Sequence, residues 1–110
     1  MTLALVTTTV SSRADAERLA RALVDAKLAA CVQISRVTSI YRWEGITQEE
    51  EFRLDCKTPG SLAERLTAKI AALHPYDVPE ILCFEGKPSK SYAKWAASVT
   101  SSGEGESSGN

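Results

Sequence analysis

Apolar and polar positions along the chain alternate with a changing period, and each change marks a new element. Leu3, Ala4, Leu5 and Val6 are apolar on both parities and run into Thr7, Thr8 and Thr9. A strand covered on both faces has no polar parity, and β-branched residues favour extended backbone, so a buried central strand is predicted. Behind Ser11 and Ser12, the residues Ala16, Leu19, Ala20, Leu23, Val24 and Leu28 recur at three- and four-residue spacing. That spacing predicts a serine-capped helix over 12–28 with one apolar face.

From Cys31 to Trp43 the period is two, but its phase slips. Val32 and Ile34 share one parity, whereas Val37, Tyr41 and Trp43 share the other, so a β-bulge near Ser35 and Arg36 is expected to restore the facing. Glu44-Gly45 supplies turn chemistry. Phe52, Leu54 and Cys56 then alternate with Glu51, Arg53, Asp55 and Lys57, which completes a long hairpin. Thr58-Pro59 reads as a helix cap followed by proline at the first helical position, and Leu62, Leu66, Ile70 and Leu73 mark a second amphipathic helix. It ends before His74-Pro75. Val78-Pro79 opens a strand over Ile81 to Phe84, and Tyr92, Trp95, Ala96 and Val99 mark a short last helix.

Strand, helix, strand, strand, helix, strand is the split βαβ order, so the expected fold class is α+β: a ferredoxin-like βαββαβ sandwich with an extended middle hairpin and a C-terminal helix. One domain is expected over 1–100. The stretch 101–110 is polar and rich in Gly and Ser, with nothing to bury, and is expected to be disordered. Each hairpin arm reaches some 40 Å at about 3.3 Å per residue, whereas a helix of about fifteen residues covers some 22 Å. The surplus carries Ile40, Tyr41 and Trp43, so a second copy of the chain is expected to cover it.

Composition narrows the function. With 110 residues, 44% hydrophobic and 25% charged, the chain suits one ordinary globular core. Its 13 basic and 14 acidic residues are interspersed, giving a net charge of −1. That leaves no electrostatic footprint for nucleic acid or an anionic membrane. No apolar run is long enough to span a bilayer and MTLALVTTTV lacks the features of a secretory signal, so a cytoplasmic protein is expected. Cys31, Cys56 and Cys83 are widely spaced, without a CxxC pair, and are read as reduced thiols.

The segment HPYDVPEI, residues 74–81, concentrates candidate chemistry: the only histidine, an aromatic, two prolines and two acids. As structure, it ends a helix and starts a strand, because residues before proline prefer extended backbone. As a site, it gains from the expectation that this topology brings it near Cys31 and Lys57. An imidazole, a thiol and the Glu80 carboxylate together suit copper or zinc. A Cys31–His74 nucleophilic pair is the weaker reading, because Cys31 beside Ala29, Ala30 and Val32 reads as a small buried hydrophobe. No enzyme activity is expected. Glu49, Glu50 and Glu51 read as a solvated strand start, and Tyr41, Trp43, Tyr92 and Trp95 as packing groups.

KLAACVQI, SIYRWEGI, an acidic strand ending in CKT, HPYDVPEI and SYAKWAA, in that order, strongly resemble the CutA family of divalent-cation tolerance proteins over residues 3–99. The resemblance implies a homotrimer of ferredoxin-like subunits whose hairpins pair between subunits, an architecture similar to the PII signalling proteins, and tolerance of divalent metals, copper above all. It places a recurrent polar cluster on Cys31, Lys57, His74, Tyr76 and Glu80, with recurrent aromatics Tyr41, Trp43 and Trp95. His74 is then the first candidate metal ligand, with Cys31 as thiol partner. Some members carry a cysteine near the end of the first strand, where this chain has Thr7-Thr8-Thr9. Three readings stay open: a divalent metal bound around His74; a small anionic metabolite held by Lys57 and Tyr76 in a PII-like sensor or adaptor; and a structural subunit junction.

Overall fold

A computed structural model describes residues 1–101. The elements are β1 (Leu3–Val10), α1 (Arg13–Asp25), β2 (Cys31–Arg42), β3 (Ile46–Pro59), a single 3₁₀ turn (Gly60–Leu62), α2 (Ala63–Leu73), β4 (Ile81–Gly86) and α3 (Lys90–Ser98). All strand pairs are antiparallel, in the order β2-β3-β1-β4. This is the expected α+β, ferredoxin-like arrangement. Apart from Ser101, whose N–H donates to the Lys27 carbonyl at 2.9 Å, the expected tail lies outside the described residues.

The core lies between one face of the sheet and the helices. Residues directly opposite in an antiparallel ladder share a face. Val6, opposite Cys56 and Cys83, and Val10, opposite Phe52, therefore face the same way. Val6, Val10, Leu54 and Cys56 pack there against Leu19 and Leu23 of α1 and Leu66 and Ile70 of α2. Ser12 caps α1 by accepting from the Asp15 N–H at 3.1 Å. The helix stops at Asp25 rather than 28 because Lys27 turns to φ 62°. The N–H groups of Lys27 and Leu28 then bond back to the Val24 and Leu23 carbonyls, a Schellman stop that folds Leu28 under the core.

Two local expectations fail. Thr58 does not cap α2: it is a buried β3 residue opposite Ala4, and α2 is reached through the 3₁₀ turn with no side-chain cap. Nor is there a bulge at Ser35 and Arg36, because β2 and β3 pair without a break from Cys31↔Lys57 to Arg42↔Ile46. The phase slip records a change of surroundings instead. Val32 and Ile34 face the helices, whose lengths of 13 and 11 residues reach only about 20 and 17 Å. Beyond them that face turns polar, with Arg36 bridging to Glu50 at 2.9 Å. The apolar parity crosses to the other face, where Val37 and Tyr41 lie.

The hairpin projects beyond the helices and gives the molecule extents of 51 × 27 × 20 Å. Its tip is a tight turn in which Trp43 N–H donates to the Gly45 carbonyl, with Glu44 and Gly45 at φ 54° and 109°. Ile40, Trp43 and Ile46 are at least 64% exposed. The sheet face away from the helices also leaves Leu82 and Phe84 open.

Candidate functional site

The chain turns sharply at His74 and carries Tyr76–Glu80 over the C-terminal end of β1. His74, the C-cap residue of α2, is 9% exposed. Its Nε2 lies 2.9 Å from the Thr9 carbonyl, and its Nδ1 accepts from the Tyr76 N–H at 3.1 Å. A carbonyl only accepts, so Nε2 carries the proton and Nδ1 the lone pair. Both ring nitrogens are committed to the backbone, and a metal reaching Nδ1 would have to displace the Tyr76 N–H.

Tyr76 packs its ring on the imidazole at 4.8 Å and donates its hydroxyl to Glu51 at 2.7 Å. Burial first, then this hydrogen bond, pushes its phenol above the ordinary tyrosine range and keeps it a donor. Glu51 is 7% exposed. It is thus a buried carboxylate, not part of a solvated strand start, and among the described residues it has no cationic partner. Its neighbours divide: Glu50 bonds Arg36 and Thr38 on the helix side, which lowers its pKa. Glu49 lies beside Tyr41, whose phenol is pushed up by partial burial, then by hydrogen bonding to Glu49.

These groups line a cleft of about 740 Å³ on the helix-free face. Its floor holds Thr9, Ser11 and Glu51, the hairpin contributes Ser39, Tyr41, Trp43 and Glu49, and the corner contributes Tyr76, Asp77 and Glu80. Among the described residues four carboxylates and three aromatic rings line it, and no basic side chain does.

Of the residues singled out in the sequence, Tyr41, Trp43, Tyr76 and Glu80 meet at this cleft, with His74 bracing it from behind. Cys31 and Lys57 do not. They lie opposite each other in the ladder, and Lys57 is opposite Leu5, four β1 residues or about 13 Å from Thr9. The expected closeness of Cys31 and Lys57 to His74 therefore fails: the corner meets the other end of the sheet. The Lys57 ammonium donates to Gln33 at 2.7 Å. Trp95 stacks on Tyr92 at 5.4 Å on α3, away from the cleft. Glu49, Glu51 and Asp77 are site residues that the sequence alone did not single out. For Glu49 and Glu51 the signal was an acidic run whose odd positions share the parity of Tyr41 and Val37, whereas Asp77 lies within HPYDVPEI. Among the described residues no three His, Cys, Asp or Glu side chains stand close enough to hold a metal ion, so a copper site of His74 with Cys31 does not fit one chain.

A model of the CutA1 divalent ion tolerance protein family matches residues 4–99. A probable divalent-cation tolerance protein cutA homolog of Encephalitozoon cuniculi is 44% identical over 92 residues, covering 82% of this chain and 81% of that relative. The chain spans about half the length of the mouse Protein CutA (51%). The structure of CutA from Synechococcus elongatus is similar with a TM-score of 0.87 and 38% identity, covering 91% of each chain. The structure described as a periplasmic divalent cation tolerance protein CutA from Archaeoglobus fulgidus is similar with a TM-score of 0.84 and 30% identity, covering 88% of this chain and 97% of the other. The family is described by tolerance of divalent ions and not by a reaction.

Proposed function

The chain belongs to the CutA1 divalent ion tolerance family, and from that membership we propose that it is a homotrimeric, cytoplasmic binding protein, not an enzyme, that takes up a divalent cation, copper foremost, at the cleft of Glu49, Glu51, Asp77 and Glu80. The observation that carries this reading is Glu51, a buried carboxylate with no cationic partner among the described residues, facing a cleft to which those residues bring no basic side chain. Buried charges are stable when paired or when they coordinate a metal. Copper stands first because divalent affinity at a given donor set peaks there. The described residues of one chain offer too few clustered donors, so the coordination shell is completed at the junction with a second subunit.

The exposed large apolar side chains at the hairpin tip and, on the far edge strand, Leu82 and Phe84 support assembly, because a second copy of the chain would cover them. In the described residues no helix is long and apolar enough to cross a membrane. The anionic-ligand reading has less behind it, since Lys57 lies outside an acidic cleft and is bonded to Gln33.

Isothermal titration of copper, zinc and calcium into the tag-free protein tests the proposal, with mass recorded by light scattering. It expects about 36 kDa, three times 11.9 kDa. Copper should bind with the tightest affinity, weakened at least tenfold by Glu51→Gln. Equal copper binding by wild type and variant would refute it.

A further inference from the structure

We infer that His74 and Tyr76 are positioning residues for the cation site: the imidazole fixes the phenol, and the phenol holds one oxygen of Glu51 so that the other is presented to the ion. This rests on reading Glu51 as a ligand of that site. It sets His74 behind the ligand, where the sequence made it the first candidate to touch the ion. The groups concerned are covered within one chain. Glu51 is 7% and His74 9% exposed, and assembly adds to that cover rather than removing it.

Three segments of the chain are tied in series. The β1–β4 ladder ends at Thr8 opposite Ile81, so the Thr9 carbonyl lies just past its last pair. The His74 Nε2–H donates to that carbonyl at 2.9 Å, across 65 positions of sequence. The other ring nitrogen accepts from the Tyr76 N–H, and the two rings pack at 4.8 Å. Both imidazole nitrogens are thus spent on fixing the backbone and ring of Tyr76. The phenol then donates to Oε2 of Glu51 on β3, at 2.7 Å and 25 positions away. Oε1 has no donor among the described residues. A glutamate turns about several side-chain bonds, and fixing them when an ion binds costs entropy. With Oε2 already held, less of that freedom remains to be lost. Burial and the bond to Glu51 raise the phenol above the ordinary tyrosine range, so it stays a donor at neutral pH. Removing a group that orients a metal ligand from behind lowers metal affinity by about 10–100-fold.

The test titrates copper into the assembled, tag-free and metal-free protein and records electron spin echo modulation, which reports the remote nitrogen of a copper-bound imidazole. The chain has one histidine, so in a homo-oligomer that signal comes only from His74. The wild type should bind copper without it. Tyr76→Phe keeps the ring on the imidazole and should weaken copper by about tenfold or more at unchanged stoichiometry. His74→Gln, which keeps an N–H for the Thr9 carbonyl, should weaken it less than His74→Ala, whereas loss of a ligand would be equal in both. Because Tyr76 acts through Glu51, adding Tyr76→Phe to Glu51→Gln should cost little further affinity; a general loosening of the corner would add in full. Imidazole modulation in the wild type, unchanged affinity in Tyr76→Phe, equal losses in the two His74 variants, or additivity in the double variant overturns the inference. Any of these, with copper binding that still depends on Glu51, leaves the divalent-cation reading standing. Copper binding indifferent to Glu51→Gln removes both.

Discussion

Replacing Tyr76 with phenylalanine removes one oxygen and almost no volume, so its effect isolates the phenol–carboxylate bond. In the native chain the hydroxyl reaches Glu51 at 2.7 Å, and the carboxylate is nearly buried. A hydrogen bond to a charged group contributes about 1.5–3 kcal/mol, because losing it leaves the charge desolvated without a donor. Tyr76→Phe should therefore destabilise the fold by about 2 kcal/mol at pH 7, which is on the order of 10 °C in Tm for a domain of this size. The assay is denaturant unfolding of wild type, Tyr76→Phe, Glu51→Gln and the double variant at one fixed protomer concentration, since assembly couples to stability. The cycle should return a coupling energy of about 1–2 kcal/mol. A cost under about 0.5 kcal/mol, or additive single effects, would refute the picture of a buried carboxylate held by this phenol.

His74→Ala loses two backbone hydrogen bonds and leaves a small cavity, and should cost about 2–4 kcal/mol by denaturant unfolding; near-neutrality would show that the imidazole does not brace the corner. Burial, with Asp55 and Cys31 adding, pushes the Cys56 thiol from 9.0 up to about 12. Its pKa is raised on folding, so its contribution is intact below pH 9 and is lost as pH rises from 9 to about 12. The loss amounts to about 4 kcal/mol, and the Cys56→Ala variant should lack it. A slope unchanged in that variant would contradict the assignment. Thiol-specific labelling at pH 8 should likewise modify exposed Cys83 long before buried Cys56, and the reverse order would show the opposite burial.

The fold was largely legible because α1, α2 and α3 each place their apolar residues at one clear period and β1 opens apolar on both parities. The misreadings share a cause. The phase slip in β2 looked like a bulge because a single core was assumed, whereas Ile34 faces the helices and Tyr41 faces the cleft in one unbroken ladder. The acidic run looked solvated because parity does not say what lies opposite, and Tyr76, 25 positions away, comes from a different element. Cys31 and Lys57 were grouped with His74 because sequence order fixes which strands are neighbours but not which end of the sheet a connector crosses. The unbroken register decides that, with His74 on Thr9 and Lys57 opposite Leu5.

The most direct test locates the ion. Anomalous diffraction at the copper edge, from crystals of the copper-loaded protein, should place a peak within coordination distance of the Glu51 carboxylate, where two subunits of a trimer meet. A peak at Cys31 or Cys83 with none in the cleft, or a peak in an assembly that leaves the cleft unshared, would contradict the account.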